Sequence, residues 1–109
     1  MDIASTILWQ LGGNRFITMT GCNHFVGDHN SLRMSIPRNR SKANRLTVTY
    51  DHGTDTYQMR FWKYTPFRFN SKTGKMIDEK FEDLKVVNGV CCDQLQDIFT
   101  EYTWMYTHL

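Results

Sequence analysis

Between Ser31 and Lys75 the chain carries ten basic side chains: Arg33, Arg38, Arg40, Lys42, Arg45, Arg60, Lys63, Arg68, Lys72 and Lys75. Only Asp51 and Asp55 oppose them, so this segment holds a net +8. Residues 76–109 hold −5 and the first thirty residues −1, so the whole-chain value of +2 conceals a basic middle. Guanidinium and ammonium groups at this density suit ligands that carry phosphate or carboxylate groups. The densest stretch is Arg38–Arg45, where Arg38, Arg40, Lys42 and Arg45 alternate with Asn and Ser donors. Such a stretch can hold a phosphate backbone or an acidic protein face. It fits a solvated connection between two strands equally well. Phe67–Lys75 repeats the theme with Arg68, Lys72 and two aromatic rings.

Other reactive side chains do not assemble into known chemistry. Cys22, His24, Asp28 and His29 lie close in sequence, but Cys-x-His is not a zinc pair spacing. Cys91 and Cys92 are vicinal, which makes a poor chelate. No metal site is expected. Thr73-Gly74-Lys75 lacks the earlier glycine and the following Ser or Thr of a phosphate-cradling loop. No nucleophile, base and oxyanion donor fall into a recognisable set, so neither an enzyme nor a cofactor is expected. Asp93, Asp97 and Glu101 recur every four residues, as on a solvated helix face or one that docks on a basic surface.

The elements that must position these residues follow from hydrophobic spacing. Ile3, Ile7, Leu8 and Leu11 share a helical face over Asp2–Leu11, and Gly12-Gly13 supplies the stop. Phe16–Thr20 alternates and reads as a strand, and Gly21–Ser31 reads as a polar loop. Leu32–Ile36, Leu46–Tyr50 and Tyr57–Phe61 alternate strictly, the last two joined by the turn Asp51–Asp55. Pro37 limits the first of these and Thr65-Pro66 closes the last. Asn70–Gly74 is a turn. Phe81–Val87 reads as a strand with Leu84 and Val86 inward, and Asn88-Gly89 as the next break. Cys91, Leu95, Ile98, Phe99, Tyr102 and Tyr106 form the stripe of a final helix.

Strands in one central run with helices at both ends predict an α+β fold. The expected architecture is an antiparallel sheet of four to five strands in the order α-β-β-β-β-β-α, with both helices on one face. The other face then shows Arg33, Ser35, Thr47, Thr49, Gln58, Arg60, Trp62 and Tyr64. Arginines and flat rings on an open sheet can grip single-stranded nucleic acid by its phosphates and bases. The same residues also fit the ordinary wet face of an antiparallel sheet.

At 109 residues, with 40% hydrophobic and 14% aromatic content, the chain is expected to form one domain, 1–109. Three cysteines give no disulfide framework, and the thiols are expected to be reduced. The N-terminus lacks a basic signal-peptide region, and no apolar run approaches a membrane span. The expected location is the cytoplasm, with no membrane partner.

Several stretches carry a resemblance. They are Ile7-Leu8-x-Gln10-Leu11-Gly12-Gly13-Asn14-x-Phe16, Met19-Thr20-Gly21 and Asn23-His24-Phe25-Val26-Gly27. Asp55-Thr56-Tyr57-x-Met59-x-Phe61 and Gly89-Val90-x-x-Asp93-x-Leu95-x-x-Ile98-Phe99-Thr100 complete the set. Together they resemble a family of small phage and mobile-element proteins, over nearly the whole chain. Trp104 departs from the pattern, where a glycine is usual. Within that context the chain is similar to counter-defence proteins that inhibit type II CRISPR effector nucleases. The resemblance implies a non-enzymatic protein that binds such a nuclease stoichiometrically, and DNA or RNA is the alternative partner. The expected contact residues are Arg33, Arg38, Arg40, Lys42, Arg45, Arg60, Trp62, Lys63 and Arg68.

Overall fold

The computed structural model describes residues 3–105. Helix α1 spans Ile3–Leu11 and α2 spans Asn14–Thr20. Strands β1 (Asn23–Gly27), β2 (Ser31–Ser35), β3 (Arg45–Asp51) and β4 (Thr56–Thr65) follow. A short pair, β5 (Arg68–Asn70) and β6 (Lys75–Ile77), precedes the long strand β7 (Lys80–Val90). One 3-10 turn, Cys92–Gln94, leads into α3 (Leu95–Thr103). The class is α+β. An antiparallel five-stranded sheet, ordered β1-β2-β3-β4-β7, carries the helices on one face.

The register explains why one face is core. Leu32 pairs with Val48, Val48 with Met59 and Met59 with Val87, which lays an apolar row across four strands. Met34, Leu46 and Phe61 form the next row. Side chains alternate faces along a strand, so these rows point together toward the helices. There they meet Ile7 and Leu11 of α1, Phe16 of α2, and Leu95 and Phe99 of α3, all fully buried. Phe99 stands edge-on to Phe16, with ring centres 5.1 Å apart, and lies 6.4 Å from Phe61. It thereby joins two helices to the sheet. Gly27 lets α1 approach β1, since a Cβ there would sit 2.8 Å from that of Ala4.

Five expectations are corrected. Phe16–Thr20 is helical rather than extended. Gly12 and Gly13, both at positive φ, turn the chain directly from α1 into α2. Phe16 and Thr20 are then buried one turn apart, and the Thr20 hydroxyl donates to the Phe16 carbonyl at 2.7 Å. The first strand comes instead from Asn23–Gly27, within the expected loop. It is a sheet edge with only Phe25 packed on the core, so its hydrophobic signal is weak.

In β7, Leu84 and Val86 are exposed, while Val87 and Val90 face the core. An irregularity in the β4–β7 pairing between Phe61 and Trp62 shifts the alternation there. Gly89, at φ 67°, lets the strand run on to Val90 instead of breaking. Cys91 is exposed and precedes the 3-10 turn, where it accepts from a backbone N–H, so it lies off the buried stripe of α3. Asp2 and Tyr106, expected in the two terminal helices, lie outside the described residues. Trp104 takes the left-handed conformation that caps α3, with its N–H on the Thr100 carbonyl at 2.7 Å. Glycine adopts that conformation with least strain.

Candidate functional site

The open sheet face is built in rows by the same register. One row runs Val26, Arg33, Thr47, Arg60, Val86 across all five strands. The next runs Asn23, Ser35, Arg45, Trp62, Asp83. Tyr64 pairs with Phe81 just beyond. Rows on one face repeat about every 6.8 Å along a strand, so the three arginines and three rings share one compact surface.

Trp62 is the hub of that surface. Its ring faces away from the core, yet it is only 7% exposed. The Arg60 guanidinium lies 5.4 Å from its centre, Phe81 lies 6.0 Å away, and its indole N–H donates to Thr47 at 3.0 Å. Trp62 therefore supports the surface rather than presenting a free ring. The presented ring is Phe81, which is 62% exposed and 5.2 Å from Tyr64. Arg45 stacks 5.4 Å from the Tyr64 ring and donates to the Asn44 carbonyl. Arg60 is committed to Asp83 at 2.5 Å, which leaves Arg33 and Arg45 as the cations open to a ligand. Two adjoining hollows of about 520 and about 410 Å³ share Arg33, Trp62 and Phe81. Acids also border them. The Glu79 carboxylate, hydrogen-bonded to Tyr64, pushes that phenol up, and Asp28 is held low by the His29 backbone N–H.

The basic loop 36–44 is ordered by its neutral residues. Asn39 donates to the carbonyls of Pro37 (2.9 Å) and Ala43 (2.7 Å), and its side-chain oxygen accepts from the backbone N–H and the hydroxyl of Ser41. Ala43 is buried beneath. Asn44 acts as a false strand residue. Its side chain donates to the Tyr64 carbonyl at 2.8 Å and accepts from the Tyr64 N–H at 2.7 Å. Arg40 is drawn to the end of α3, where its N–H reaches the Thr103 carbonyl and its guanidinium lies 4.7 Å from the Trp104 ring. Arg38 and Lys42 point to water.

Comparison with family models, with curated proteins and with solved structures finds no match. The geometry alone must therefore carry the reading. It brings Arg33, Arg45, Arg60 and Trp62 together. It separates them from Arg38, Arg40 and Lys42 in the loop, and from Arg68 on the β5–β6 hairpin. Lys63 is exposed and, by strand alternation, leaves β4 on the side opposite Trp62. Phe81 and Val26 complete the surface and were not among the expected contacts. The start of an edge strand gives no sign of which face its first ring will join.

The residues weighed for a metal do not converge. Cys22 is buried, where desolvation pushes its thiol up, whereas His24, Asp28 and His29 are exposed. No group of three His, Cys, Asp or Glu gathers among the described residues. No helix among them is long and apolar enough to cross a membrane.

Proposed function

We propose that this chain is a non-enzymatic binding protein whose working surface is the open face of its sheet, and that the ligand is single-stranded nucleic acid. The observation that carries this is the grouping of Arg33 and Arg45 around the exposed ring of Phe81, over two joined hollows. Cations that reach phosphates beside a ring that stacks on a base are what a single strand requires. A duplex hides its bases from such a ring. Serine, threonine and asparagine side chains in the same rows supply neutral donors for sugar and phosphate oxygens.

A second reading, the stoichiometric inhibitor of a type II CRISPR effector nuclease, rests on the resemblance of the sequence stretches. One observation favours it. Asp97 and Glu101 are exposed on α3, and Asp93 is exposed in the 3-10 turn before it, which suits a basic protein surface better than a phosphate backbone. The inhibitor reading adds this acidic surface, on the helix side of the sheet, to the contacts of the open face, and both readings place the protein in the bacterial cytoplasm.

One titration separates them. Fluorescence anisotropy follows a labelled single strand, free or held as the guide in an effector complex, with this protein added. Comparable binding to the free strand supports the nucleic-acid reading. Binding confined to the effector complex sinks it and supports the inhibitor.

A further inference from the structure

The hairpin β5–β6 stands apart from the core. Its strands pair only with each other, and every residue from Pro66 to Lys80 is exposed. The radius of gyration is 15.2 Å, against about 13 Å for a compact chain of this length. A two-stranded ribbon with no cover is marginal in water. Even so, this one displays large apolar side chains: Phe67 is 58% exposed, Phe69 62% and Met76 68%.

The register sorts its two faces. Phe69 pairs with Met76, and Phe67 follows on the same side. Arg68 pairs with Ile77 and Asn70 with Lys75 on the opposite side. The turn adds Lys72, and no acid lies between Phe67 and Ile77. The arm therefore carries +3, an apolar strip along its stem and a polar, cationic tip. Its base is the Thr65–Lys80 pair, next to Tyr64–Phe81 at the end of the open sheet face.

We infer that this arm is a β-ribbon that enters a groove of duplex nucleic acid next to the single strand held on the sheet face. The inference rests on the nucleic-acid reading above and extends it to a second element. Strands in a ribbon lie about 4.8 Å apart, and the DNA major groove, about 12 Å wide, admits such a ribbon. Lys72, Lys75 and Arg68 then lie along the phosphate walls, while Phe67, Phe69 and Met76 meet base edges and thymine methyls. A bilayer is the poorer occupant. Insertion requires an apolar tip, and here the tip is Asn70-Ser71-Lys72-Thr73-Gly74.

The test compares three probes: a single strand, a duplex, and the same duplex with a single-stranded tail. The proteins are wild type, R68A/K72A/K75A and, for the sheet face, R33A/R45A. All three arm cations are exposed, so the arm variant should melt like wild type. Wild type should bind the tailed duplex most tightly. The arm variant should lose duplex binding and keep single-strand binding. Its salt slope on duplex should be shallower by about 3, which removes about 40-fold of the affinity change between ~50 and ~200 mM salt. Equal duplex affinity and slope for the arm variant and wild type would overturn the inference. So would loss of binding to phosphatidylserine vesicles in that variant with duplex binding unchanged. Duplex binding that persists in R33A/R45A while single-strand binding fails supports the arm. If wild type binds no single strand but still binds duplex through the arm, the sheet-face reading fails and the arm stands. Absence of binding to any of the three probes refutes both.

Discussion

Replacing Asn44 by Ala should loosen the junction between the basic loop and the sheet. The side chain makes two hydrogen bonds to the Tyr64 backbone, at 2.8 and 2.7 Å, at the point where β3 has not yet begun. Each such bond contributes about 0.5–1.5 kcal/mol net, so the loss should be about 1–3 kcal/mol. At about 4–8 °C per kcal/mol, the melting temperature should fall by about 5–20 °C. Urea unfolding followed by circular dichroism measures the first quantity. Hydrogen exchange at the Tyr64 amide measures the cause, because that N–H loses its acceptor. Asn44→Asp keeps the acceptor and removes the donor, so it should protect the Tyr64 amide while still costing stability. A loss below about 0.5 kcal/mol, with Tyr64 exchange unchanged, would refute the strand-mimic role.

Phe99 is fully buried between Phe16 and Phe61, so Phe99→Ala should cost about 3–5 kcal/mol by urea unfolding; a cost near zero would contradict the packing. Cys91 and Cys92 should react quickly with a thiol reagent and Cys22 only on unfolding; three equally fast thiols would contradict its burial. Burial raises the folded pKa of Cys22 above its usual value of 9.0, so the unfolded chain releases that proton first. Stability should therefore be flat in this group below pH 9.0 and fall as pH rises past it, and Cys22→Ala should weaken that fall. Trp104→Gly relieves a left-handed residue but removes the Arg40 stack, so its melting temperature should stay close to wild type; a large drop would show that the stack dominates.

Strands β2, β3 and β4 were legible because their period of two is unbroken and each has one buried face. The final helix was legible because Leu95, Ile98, Phe99 and Tyr102 share a stripe. Helix α2 was not. Over five residues, Ile17 and Met19 alternate with Thr18 and Thr20 as a strand would. Burial of Phe16 against Phe99 and the Thr20 back-bond decide for helix, and both depend on tertiary contacts. Arg33, Arg60 and Trp62 of the sheet-face site followed from alternation alone, whereas Arg45, expected in the basic loop, instead opens β3. The burial of Trp62, the pairing of Arg60 with Asp83 and the arrival of Phe81 depend on where β7 pairs with β4. A sequence separation of about twenty residues between those partners carries no register. Nor does any spacing reveal that Asn39 and Asn44 order the basic loop.

The most direct measurement is anisotropy of a labelled single strand titrated with wild type, R33A/R45A and F81A. A charge-assisted contact contributes about 1.5–3 kcal/mol and a stacked base about 1–3 kcal/mol. The sheet-face account predicts about a 100-fold or greater loss for the double arginine variant and about 5-fold or greater for F81A, with melting temperatures near wild type. R38A/K42A, which alters only the exposed loop cations, should lose far less. Wild-type affinity in R33A/R45A, or losses confined to R38A/K42A, would contradict it.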